Sequence, residues 1–266
     1  MGTIHEAILE ATRRGDSVAL ATIVKATGST PREAGTKMLV YPGGSIVDTI
    51  GGGSLEANVI AEAQAALGVG KPRLVRYELQ DSEAGDPGIC GGEAEIFVDV
   101  INPHPTVLIV GAGHVGRSIV VLSSFLGFRT VVMDDRAEFA NADRLPQADE
   151  IIVGDIAEEL ARFNVTPQTH IVVVTRGHEH DRDALRQLVS SSAAYIGMIG
   201  SRRKVKMVFD ELQKAGVAEE ALAVVHAPIG LDIHAETPEE IALSIMAEII
   251  MMRRGGQGAP MRLGEG

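Results

Sequence analysis

The pattern of apolar and polar positions changes character at Asn102-Pro103-His104-Pro105. Before that segment the periods are mixed. Apolar residues over 4–14 come at helical spacing, 17–26 reads as a strand, and 36–41 with 45–50 flank Pro42-Gly43-Gly44 as a hairpin. The alanine-rich run 54–67 predicts a helix capped by Ser54, and 73–79 and 93–101 predict strands around a glycine-rich loop. After the segment, short apolar runs rich in β-branched residues recur at 106–110, 130–133, 150–153, 170–175 and 195–199. Helical patterns lie between and beyond them, at 115–126, 156–163, 181–190, 202–215 and 238–252. Apolar strands that do not alternate, separated by helices, predict a parallel sheet covered on both faces. The expected fold class is α/β, with a smaller α+β domain over 1–101, a linker at 102–105, a doubly wound parallel-sheet domain over 106–254 and a flexible glycine-rich tail over 255–266.

The first run of the second domain leads directly into Gly111-Ala112-Gly113-His114-Val115-Gly116. This G-x-G-x-x-G pattern between a strand and a helix is the Rossmann fingerprint. One glycine makes the tight turn, the next lets a phosphate approach backbone, and the third packs helix on strand. The second strand ends at Asp134, near the offset of about 20 residues expected of a ribose-binding acid. Asp134 and Asp135 favour NAD over NADP as a dinucleotide ligand, whereas Arg136 pulls the other way. A glycine turn without ligand is the plain alternative.

Two further segments follow predicted strands and so belong to the same edge of the sheet. Thr175-Arg176-Gly177-His178-Glu179-His180-Asp181 offers histidines as ligands or proton donors, or else is a polar loop whose Asp181 and Asp183 favour a helix start. Gly200-Ser201-Arg202-Arg203-Lys204 places a capping serine and three cations at a helix start, an anion pocket or a solvated basic face. In the first domain, Gly51, Gly52 and Gly53 lead into a helix and offer backbone amides to an anion, or form a plain turn. Cys90, in Gly88-Ile89-Cys90-Gly91-Gly92, is a candidate soft metal ligand or sulfur relay, with a small buried apolar side chain as the alternative.

Composition narrows the partners. A formal net charge of −12 and 3% aromatic residues argue against nucleic acid, which needs basic and stacking surfaces. One cysteine allows neither an internal disulfide nor a C-x-x-C zinc site. The amino-terminal residues lack a basic end followed by an apolar run, and Glu248 interrupts the apolar stretch 241–252, so a cytoplasmic protein without membrane association is expected. A homodimer is the expected assembly.

Together these motifs resemble the XdhC/CoxI family, accessory factors in the maturation of xanthine dehydrogenase and related molybdenum hydroxylases. The resemblance rests on Gly28-Ser29-Thr30-Pro31-Arg32, Gly35-Thr36-Lys37-Met38, Thr49-Ile50-Gly51-Gly52-Gly53-Ser54-Leu55-Glu56 and Cys90-Gly91-Gly92 in the first half. In the second half it rests on the glycine turn with Asp134-Asp135-Arg136, then Thr175-Arg176-Gly177-His178, Gly200-Ser201-Arg202-Arg203-Lys204, Pro228-Ile229-Gly230-Leu231-Asp232 and Thr237-Pro238-Glu239-Glu240. It implies a chaperone that binds molybdenum cofactor, protects it during sulfuration by a cysteine desulfurase and inserts it into an apo-hydroxylase. Cys90 is then the candidate contact to molybdenum or its sulfur. His234 departs from the glycine expected at that position of the family motif. The other readings are an NAD-dependent oxidoreductase, with His178 or His180 as proton donor, and a dinucleotide-sensing regulatory protein.

Overall fold

A computed structural model describes residues 3–28, 30–79 and 92–261 of the chain. The chain divides into two compact units, Met1–Pro103 and His104–Gly266.

The first unit is an antiparallel sheet with one helix on each face. Helix α1 (Ile4–Arg14) starts at a capping box, Thr3 receiving the Glu6 amide while the Glu6 carboxylate receives the Thr3 amide. Strands β1 (Val18–Gly28), β2 (Lys37–Val40) and β3 (Ile46–Val47) precede helix α2 (Gly53–Val69), and β4 (Arg73–Leu79) and β5 (Gly92–Ile101) follow it. The strand order is β3-β2-β1-β5-β4. Successive side chains of β1 point to opposite faces of the sheet. Ala19, Ala21 and Ile23 meet Leu55, Val59, Ala63 and Ala66 of α2, whereas Val18 meets Ile4 and Ala11 of α1. Small alanines on β1 and α2 let the helix lie close to the sheet. Ser54 does not cap α2. The helix begins at Gly53, the cap position is Gly52, and no side chain caps it.

The second unit is a six-stranded parallel sheet. Its elements are β6 (Thr106–Val110), α3 (His114–Phe125), β7 (Arg129–Asp134), β8 (Glu150–Val153), α4 (Ile156–Arg162), β9 (Thr169–Val173), α5 (His178–Leu188), β10 (Tyr195–Met198), α6 (Arg202–Lys214), α7 (Glu219–Leu222), β11 (Val225–His226) and α8 (Pro238–Arg254). The order β8-β7-β6-β9-β10-β11 is the doubly wound arrangement, which reverses between β6 and β9. Both faces are covered. Leu108, Val110, Val131 and Met133 pack under α4, α5, α6 and α7, and Val107, Ile109 and Val132 pack under α3 and α8. Strands β6 and β9 are buried at every residue, which explains their unbroken apolar runs. The short elements α7 and β11 escape the hydrophobic pattern because neither is long enough to show a period. Helix α5 starts at His178, three residues before the expected boundary, so His178 and His180 lie in its first turn rather than in a loop. Beyond α8, Gly256 and Gly258 lie against Met251, and Gly258 also lies against Leu231.

His170 on β9 is buried, its ring edge-on to Phe128 and its Nδ1 3.3 Å from the Thr106 carbonyl. Burial holds its imidazole below the ordinary histidine range, against the carbonyl, which favours the protonated form. The folded protein therefore resists protonation of this ring, while the unfolded chain takes up the proton as pH falls below about 6.5. The stability His170 contributes is present above that pH and is lost as pH falls toward its depressed folded value. In urea titrations between pH 7 and 5, His170→Gln should flatten the pH dependence by up to about 1.4 kcal/mol per pH unit. Parallel slopes for the two proteins would refute this.

Candidate functional site

The site follows from the strand order. Where it reverses, the connections leaving β6 and β9 depart to opposite faces and open a crevice at the carboxyl edge of the sheet. Gly111, with φ of 119°, leaves β6 at that point, and a Cβ there would lie 2.5 Å from the Val174 carbonyl oxygen. A Cβ on Gly116 would lie 2.0 Å from the Gly111 carbonyl oxygen, so α3 can pack on the turn only with glycine here. Gly113 has nothing within 4 Å of its Cβ direction, leaving open space above the turn.

Helix capping separates the elements of this edge. Asp155, Ser201 and Thr237 cap α4, α6 and α8 with their own side chains. Helices α3 and α5, which leave the two strands at the reversal, have glycine caps at Gly113 and Gly177 and no side-chain cap. Among the described residues no side-chain cap bonds their first-turn amides, and the aligned peptide dipoles favour negative charge there. His114 and His178 occupy the first helical position of these two helices, and both are exposed.

Asp134 at the end of β7 faces the turn, but its oxygens are already engaged. One accepts the Ala112 amide at 2.7 Å and Arg136 Nη2 at 2.9 Å, and the other accepts the Arg136 amide at 3.0 Å and its Nε at 2.9 Å. A carboxylate offers about four lone-pair sites, and these four donors occupy them. Burial pushes the Asp134 carboxyl up, but the Arg136 guanidinium and the two amides outweigh it and hold it below the usual carboxylate range. Asp134 thus ties the glycine turn to β7, and no acceptor remains for a ribose hydroxyl. Arg136 is fixed in turn, with its guanidinium 4.0 Å above the Phe139 ring. Asp135 turns instead to Arg176, with Arg176 Nη2 at 2.7 Å.

The basic run after β10 is less basic than its sequence. Lys204 lays its stem over Gly200 and pairs with Asp181 of α5, a fully buried carboxylate that also accepts the Thr175 hydroxyl at 2.6 Å. One of the three expected cations is therefore neutralised internally, because a buried carboxylate requires a counter-charge. Ser201 caps the helix through the Lys204 amide at 3.3 Å, leaving Arg202 and Arg203 exposed at its start.

A second buried carboxylate organises the loop after β11. Glu248 accepts from Tyr195 Oη at 2.5 Å, the Gly230 amide at 2.7 Å and His226 Nδ1 at 3.1 Å. Ser244 Oγ donates to the Leu231 carbonyl at 2.6 Å, and the Ile229 amide donates to the Met198 carbonyl at 3.1 Å. Together these bonds hold Pro228-Ile229-Gly230-Leu231 across the end of β10. The sequence carries a signal for Glu248, a lone acid inside an apolar helix, and such an acid needs buried donors. The buried position of Asp181 is less legible, because it depends on α5 starting at His178.

In the first unit the triple glycine is partly committed. The Gly51 amide donates to Thr49 Oγ1 at 3.1 Å and the Gly52 amide to Glu56 Oε2 at 3.3 Å, so a carboxylate already stands where an anion was expected. A Cβ on Gly51 would lie 2.7 Å from Pro31, which presses the Pro31-Arg32 segment onto this loop. Cys90 lies outside the described residues. Among the described residues no group of three or more His, Cys, Asp or Glu side chains could hold a metal ion, and no helix is long and apolar enough to cross a membrane.

Comparison with known proteins agrees with this architecture. The chain is 38% identical over 245 residues to the uncharacterized protein YqeB of Escherichia coli (strain K12), covering 91% of this chain and 45% of YqeB. It is 31% identical over 159 residues to a probable xanthine dehydrogenase subunit of Bacillus subtilis (strain 168), covering 60% of this chain and 46% of that one. These alignments thus take in less than half the length of either relative. It is 23% identical to the molybdenum cofactor insertion chaperone PaoD of Escherichia coli (strain K12), with 94% of this chain and 88% of PaoD aligned. The crystal structure of a Bacillus halodurans protein named as a xanthine dehydrogenase shares the fold, with a TM-score of 0.53 and 24% identity over 96% of this chain and 97% of that one. Residues 107–249 match the XdhC Rossmann domain and residues 11–78 match the XdhC and CoxI family. The chain belongs to the XdhC and CoxI family, whose members are linked to molybdenum cofactor maturation and insertion.

Proposed function

We propose that this protein binds molybdenum cofactor as cargo, protects it during sulfuration by a cysteine desulfurase, and delivers it to an apo-hydroxylase of the xanthine dehydrogenase type. The observation that carries this reading is the crevice at the strand reversal, where α3 and α5 leave their first-turn amides without side-chain caps beside an open Gly113. The pterin of this cofactor ends in a phosphate, and paired helix starts suit that group. The near end-to-end likeness to a cofactor insertion chaperone supports the same cargo.

In this reading Gly111, Gly113 and Gly116 shape the turn, and the amides at the starts of α3 and α5 hold the phosphate. His114, His178, Ser201, Arg202 and Arg203 border it, while Asp134, Arg136 and Lys204 hold the surrounding loops in place. In the first unit, Cys90 is the soft ligand offered to molybdenum or its sulfur, whereas the Gly51 and Gly52 amides serve Thr49 and Glu56 rather than an anion. An NAD-dependent oxidoreductase or a dinucleotide sensor is the second reading, and the saturated Asp134 carboxylate weighs against it.

Anaerobic titration with molybdenum cofactor, followed by co-elution of molybdenum and pterin, tests the proposal. One cofactor per chain is expected. Cys90→Ala should weaken binding, and Arg203→Glu should do so by at least about tenfold through loss of a charge-assisted contact. Saturable NAD binding with no retention of molybdenum cofactor would transfer the assignment to the second reading.

A further inference from the structure

The bridge between Asp135 and Arg176 joins two loops that are not neighbours in the sheet. Asp135 follows β7 and Arg176 follows β9, and these strands pair with opposite edges of β6. Two strand spacings, about 10 Å, separate them. A contact of 2.7 Å between their loops must therefore reach across the end of β6, where Gly111 leaves the strand. A ligand laid along the crevice from β7 to β9 meets this bridge.

We propose that Arg176 is an anion-contacting residue of the crevice and that Asp135 latches it across the end of β6 until an anionic ligand draws it away. This proposal rests on the ligand-binding reading of the same crevice.

Three features single out Arg176. Arg136 is unavailable, since its fork is bound to Asp134 and its face lies on Phe139. Arg176 is half exposed and meets Asp135 through one terminal nitrogen, so most of its five N–H donors are uncommitted by that bond. Asp135 keeps a second cation when Arg176 leaves, because Arg136 Nε lies 3.7 Å from its other oxygen. An ion pair this exposed is weak, which makes it exchangeable for a bidentate guanidinium–phosphate contact. A ligand that offers no anion at the end of β6 leaves the latch closed, so the device selects for phosphate-bearing ligands.

Calorimetric titration of the full chain with inorganic pyrophosphate tests the latch. Asp135→Asn should raise affinity about fivefold by releasing Arg176, the range of a weak exposed pair. Arg176→Gln should lower it about tenfold, the worth of one charge-assisted contact. In the double variant the gain from Asp135→Asn should fall below about twofold, because there is no arginine left to release. An equal gain in both backgrounds would mean that Asp135 acts only by repelling the anion, and the latch would be rejected. Failure of all four proteins to bind pyrophosphate would reject it too. The probe contains neither molybdenum nor pterin, so the latch and the proposed cargo can fail separately.

Discussion

Lys204→Met is expected to destabilise the protein by ~3 kcal/mol or more at neutral pH, because it leaves the Asp181 carboxylate buried without its counter-charge. The Thr175 hydroxyl at 2.6 Å remains, but one neutral donor does not replace a cation beside a fully buried carboxylate. A loss of this size is a large share of the roughly 5–15 kcal/mol typical of a folded domain. Urea unfolding followed by circular dichroism measures it as a lower midpoint at unchanged slope. The double variant Asp181→Asn/Lys204→Met should recover more than half of the loss, since an amide at that position carries no charge to be neutralised. A single variant as stable as the native protein would show that Asp181 has another counter-charge. The pair also joins the connections that leave β9 and β10, so its loss should loosen the basic start of α6.

Gly116→Ala is the second large effect. The added methyl group would stand 2.0 Å from the Gly111 carbonyl oxygen, and backbone rather than a flexible side chain must yield. Overpacking against a fixed neighbour costs about 1–3 kcal/mol and sometimes more, and this separation places the variant at the upper end. The displaced element is either the glycine turn or the start of α3, so ligand binding at the crevice should fail even where the fold survives. Thermal unfolding and cofactor titration on the same preparation separate the two. Gly113→Ala is the matched control, because nothing lies within 4 Å of its Cβ direction and its backbone lies outside the left-handed region. Its stability should stay near that of the native protein. Equal stability of Gly116→Ala and Gly113→Ala would overturn the packing argument.

Gly116 and Lys204 are legible in the sequence to different degrees. Gly116 is readable from the motif alone, since a glycine at that spacing between strand and helix has a packing reason wherever the motif forms. Lys204, seen in sequence beside two arginines, reads as part of an anion pocket. Its actual partner, Asp181, is far along the chain and comes into reach only because α5 and α6 leave adjacent strands. Asp134 shows the same contrast. Its position after β7 is visible in the spacing, yet its commitment to Ala112 and Arg136 requires the turn and the strand end to be folded together.

The hydrophobic pattern by itself determined the two-part organisation and the parallel sheet, because burial of alternate or continuous apolar residues follows from local period, and the glycine spacing determined the turn after β6. Tertiary structure alone decided which charges remain available at the crevice. A charged side chain is free or committed according to partners within a few ångströms, and those partners come from other strands and helices. Thus Asp134, Arg136 and Lys204 became structural ties, Asp135 and Arg176 met across the end of β6, and Glu248 became the anchor of the loop after β11.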